Sequence, residues 1–75
     1  MKIYERIRTY IDDHGIKITF VAERSDIDYK RLSSILKGRS RMRPEEFEAI
    51  CIKGLRVDAN IFFADPVLES KTDTP

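Results

Sequence analysis

The chain has 75 residues, 36% of them charged, and a formal net charge of +1. A domain this small buries only about 60% of the surface its unfolded chain exposes, so it depends on disulfides, a metal, self-association or efficient helix packing. One cysteine, Cys51, and one histidine, His14, rule out an intramolecular bridge or a zinc cluster within one chain. No apolar run approaches the roughly 20 residues of a membrane span. The opening residues, with Lys2, Glu5 and Arg6, are too charged for a signal peptide. These features predict a cytoplasmic protein with no cofactor, metal, membrane partner or small-molecule substrate.

Ile3, Tyr4, Ile7, Tyr10 and Ile11 recur at helical spacing, which predicts an amphipathic helix over residues 2–13, ended by His14-Gly15. A short second helix is expected over 18–25, with Ile18, Val21, Ala22 and Ser25 on one face and Lys17 as a poor cap. Asp26-Ile27 makes a tight turn. Asp28 then caps a third helix that runs to Lys37, buries Leu32, Ile35 and Leu36, and stops at Gly38. Pro44, Glu45 and Glu46 signal the start of a fourth helix, with Phe47, Ile50, Cys51 and Gly54 inward, so that Cys51 reads as core. Asp58 caps a short fifth helix holding Ile61, Phe62 and Phe63. The ordered domain is expected to span 1–64, and residues 65–75 to form a flexible tail. With no strand pattern, the fold class is all-α.

Charge is partitioned along this plan. Residues 29–43 carry six basic side chains and no acidic one, residues 1–28 carry five basic and six acidic, and residues 44–75 carry three basic and seven acidic. On a helical wheel, Lys30, Ser34 and Lys37 fall opposite the buried stripe of the third helix, flanked by Arg31 and Ser33, with Tyr29 at the tip. Two short helices joined by a tight turn project the second as a probe that fits a major groove about 12 Å wide. Lys30 can donate to guanine, Ser34 can donate or accept, and Tyr29 can touch a thymine methyl or a phosphate. The loop Arg39-Ser40-Arg41-Met42-Arg43 feeds a helix N-terminus, a natural arrangement for phosphate. Double-stranded DNA is the partner these residues imply.

Residues 3–64 resemble the Xre family of helix-turn-helix regulators, which includes phage Cro and lambda-type repressors. The carriers are Val21-Ala22-Glu23-Arg24, Ile27, Leu32, Ile35, Gly38, Phe47, Ile50, Leu55-Arg56-Val57-Asp58 and Phe62. The resemblance implies a five-helix lambda repressor-like domain with helices 2 and 3 as the helix-turn-helix. By matching position it puts base contacts on Tyr29, Lys30 and Ser34, and phosphate contacts on Arg31, Lys37, Arg39, Arg41 and Arg43. It also implies a homodimer on a palindromic operator, with half-sites about 34 Å apart. Val57, Phe62, Phe63 and Ile52 are the candidates for the dimer contact, the other reading being that Phe62 and one neighbour simply close the core.

The chain also departs from the family. Ile18 stands where members commonly have Gln, Asp26 where the turn usually has Gly, and Asp28 where Ser or Thr is usual. Ile11 and Leu36 occupy the places of an Arg–Glu pair that often bridges the first and third helices, so a dry contact is expected there. The function implied is a small phage- or prophage-type repressor or Cro-like transcriptional regulator, controlled through concentration, a regulatory protein partner or the tail. The alternative is a protein-interaction module of the same fold, an antirepressor or antitoxin, whose acidic Glu45, Glu46 and Glu48 meet a basic partner. No nucleophile, base and orienting group are placed for catalysis, so an enzyme is not expected.

Overall fold

The structure, a computed structural model, describes residues 1–63; the domain end expected at residue 64 and the tail over 65–75 lie outside the described residues. The described residues form four α-helices: α1 (Ile3–Asp13), α2 (Ile18–Ser25), α3 (Tyr29–Leu36) and α4 (Pro44–Ala49). No strand occurs among the described residues. α4 runs on as a π-helical segment, Ile50–Leu55, and a 3-10 turn, Ala59–Phe62, follows. Two expectations therefore change in detail: the fourth helix widens in its second half, and the fifth is a single 3-10 turn. The inward positions of a short helix do not by themselves distinguish these windings.

The caps follow local chemistry. The Asp28 carboxylate accepts from the amides of Lys30 at 3.1 Å and Arg31 at 3.4 Å, fixing the start of α3. Lys17 offers α2 no side-chain cap, as its chemistry dictates. Asp26 closes α2 in the left-handed conformation, at φ 57° and ψ 40°. An L-residue pays roughly 1 kcal/mol for this, and Asp is among the side chains that tolerate it best. His14 follows α1, stacked on Tyr10 and hydrogen-bonded through Nδ1 to the Tyr10 carbonyl at 2.9 Å.

Ile7, Ile11, Val21, Ala22, Leu32, Ile35, Leu36, Ile50, Cys51 and Phe62 are buried. Ile11 and Leu36 share this core, which makes the α1–α3 junction dry. Gly54 comes against α2 so closely that an added Cβ would lie 2.5 Å from Ser25 Oγ and 2.9 Å from Val21 Cγ1. Burial pushes the Cys51 thiol up to about 11, with the Asp58 charge adding to the effect, so the thiol stays protonated in the core. Phe62 is only 2% exposed, packs edge-on to Tyr10 and Phe47, and its carbonyl accepts from Arg6 Nη1 at 3.0 Å. This burial favours the reading in which Phe62 closes the core. Val57 is half-buried against the core, whereas Ile52 and Phe63 are exposed.

Candidate nucleic-acid interface

α2 and α3 are joined by the three residues Asp26, Ile27 and Asp28, and both helices contribute to the core on their inner faces. The outer side of α3 carries Tyr29, half exposed at the helix tip, and Lys30, exposed one residue on. Lys37 ends the helix. Among the described residues, the side chains of Lys30, Lys37, Arg39 and Arg41 make no ion pair or hydrogen bond, and all four are exposed. Four cations thus face solvent with no ion-pair partner among the described residues, an arrangement suited to a polyanion.

The loop between α3 and α4 is tied down from below. Gly38 adopts φ +77°, and a Cβ there would sit 2.5 Å from the Tyr4 hydroxyl, so both backbone and space require glycine. The Ser34 carbonyl accepts from the Arg39 amide at 3.0 Å, and the Ser34 and Ser40 hydroxyls are paired at 2.7 Å. Arg31 reaches across to α4: its Nε meets Glu46 Oε2 at 2.6 Å, and its Nη2 donates to Glu46 Oε1 at 2.8 Å and to the Arg41 carbonyl at 3.0 Å. Glu46 Oε1 also accepts from the Arg43 amide at 2.9 Å, which caps α4. The Arg31 hydrogen bond holds the Glu46 carboxyl down to about 2 against the opposing effect of burial, and raises Arg31 in turn.

A model of one family, described as the Cro/C1-type helix-turn-helix DNA-binding domain, matches residues 6–52, from within α1 into the π-helical segment. The chain belongs to this Cro/C1-type family. Comparison with curated proteins and with solved structures returned no match. The Cro/C1-type match covers the third helix, the basic loop and α4 together, so every cation described above lies within the matched residues. No helix among the described residues is long and apolar enough to cross a membrane.

The expected site residues are not equally disposed in this Cro/C1-type domain. Tyr29, Lys30, Lys37, Arg39, Arg41 and Arg43 are exposed on α3 and the loop that follows. Arg31 is engaged by Glu46, and the Ser34 hydroxyl by Ser40. Sequence reasoning missed Glu46 and Ser40 as partners of these two. The signal for Glu46 was present: an acid three residues after the N-cap Arg43 is the spacing of a carboxylate that turns back to cap its own helix. Nothing in the sequence pairs Ser34 with Ser40, because that contact depends on the path of the loop.

Proposed function

We propose that the protein is a sequence-specific transcriptional regulator in which α2 and α3 form the helix-turn-helix and α3 enters the major groove. Tyr29 and Lys30 face the bases, Ser34 reaches them from its place beside Ser40, and Lys37, Arg39, Arg41 and Arg43 meet phosphates. Arg31 stands behind them as a support. The observation that carries this reading is the set of exposed cations, without ion-pair partners among the described residues, running from α3 into the loop of a Cro/C1-type domain.

One recognition helix buries too little surface for high specificity, so the proposal includes a homodimer on a palindromic operator. Ile52 at 58% exposure and Phe63 at 52% support an apolar contact, with Phe47 edge-on against Phe63 at 5.3 Å and Val57, half-buried against the core, as the further candidate. Such a molecule fits a small phage- or prophage-type repressor or Cro-like protein acting on DNA in the cytoplasm. The test is selection of bound sites from a random DNA pool at physiological salt. A two-fold consensus is the expected result; an unenriched pool would overturn sequence-specific readout and favour a protein-interaction module.

A further inference from the structure

The basic loop is short, yet its backbone is held at nearly every residue. The Ser34 carbonyl and hydroxyl hold it at Arg39 and Ser40, Arg31 holds the Arg41 carbonyl, and Glu46 holds the Arg43 amide. The backbone is tied inward while the side chains of Arg39, Arg41 and Arg43 remain exposed. Two of these anchors meet at one carboxylate. Glu46 is 13% exposed at its side chain, Arg31 36%, and their contact is two-pronged, the geometry that makes an Arg–carboxylate pair strong and directional. A bare carboxylate beside a phosphate site would repel DNA. Paired with Arg31 it is locally neutral, and what remains is its effect on geometry.

We infer that Glu46, acting with Arg31, is a positioning residue of the DNA-contacting loop: it touches no nucleotide and fixes where the Arg41 and Arg43 side chains leave the surface. The inference rests on the reading that this loop meets phosphate, but it differs from that reading in what it assigns to Arg31. A guanidinium that neutralises a phosphate releases counterions and contributes to the salt dependence of binding; one that braces a loop does not.

The experiment measures affinity for the selected duplex across a salt series for the intact protein and for Arg31→Met, Glu46→Gln and Arg41→Ala. Arg41→Ala should lower the slope of log affinity against log salt by about one per monomer. Arg31→Met should weaken binding about tenfold, the scale of one lost charge-assisted bond, with the slope unchanged. Glu46→Gln keeps an acceptor for the Arg43 amide and should weaken binding severalfold, although it removes a negative charge. A fall in slope for Arg31→Met, or tighter binding by Glu46→Gln, would overturn the inference. Amide exchange in the DNA-free proteins supplies an independent arm. The Arg43 and Arg39 amides should exchange at least about tenfold faster in Arg31→Met than in the unaltered protein, and unchanged exchange would also overturn it. If the unaltered protein binds no DNA, the functional reading fails, and the exchange arm still decides whether the pair positions the loop.

Discussion

Two grooves of similar size flank the basic loop and differ in charge. One, about 530 Å³, lies between the start of α1 and the loop and is lined by Lys2, Tyr4, Arg39, Ser40 and Arg41 among others, with no acidic residue. The other, about 470 Å³, lies between the α2–α3 turn and the start of α4, where Asp26, Asp28, Glu45 and Glu46 surround Arg31 and Arg43. The same loop therefore presents a cationic flank to one side and a mixed, internally paired flank to the other. Shape does not separate them; charge does, and a polyanion is attracted more strongly to the first than to the second.

The sharpest way to break this contrast is to change a charge on each side. Arg41→Glu should reduce DNA affinity about 100-fold in a binding titration, since it replaces an attraction to phosphate by a repulsion. Glu45→Gln, on an exposed residue of the other flank, should change affinity less than about twofold. Equal effects would show that the two flanks do not differ in their response to DNA. Space is the next difference. Gly38→Ala adds a left-handed alanine and a collision with Tyr4 in the cationic groove, and should cost about 1–3 kcal/mol in urea unfolding.

Acid acts on the other flank. The Glu46 carboxyl lies near 2 in the folded chain against an ordinary 4.5, so the stability it supplies is fully present above about pH 4.5 and is lost as pH falls toward 2. Unfolding free energy followed from pH 6 to pH 2 should show that fall in the unaltered protein and a shallower one in Glu46→Gln. Identical profiles would remove the pair from the account. The smallest effect concerns the turn: Asp26→Gly should raise stability by about 0.5 kcal/mol by relieving the left-handed backbone, with no effect on the cationic flank.

Much of the scaffold was legible because local chemistry decides it. Asp28 caps α3, Pro44 opens α4, and the wheel positions of Leu32, Ile35 and Leu36 give the buried face that the core shows. The exposure of Lys30 follows from the same wheel. What sequence left open depends on the path of the chain between elements. Arg31 and Glu46 are 15 residues apart, and only the loop brings them together. The burial of Phe62 likewise arises from how the chain folds back on α1, where Phe62 meets Tyr10 and Arg6. A pattern of apolar residues says that such side chains are covered, not which neighbour covers them.

The central claim is that the cationic face from α3 into the loop binds DNA through several phosphates at once. Affinity for a duplex measured from low to physiological salt tests it most directly. Log affinity should fall steeply and linearly with log salt, equivalent to several counterions released per monomer. A flat response would contradict it.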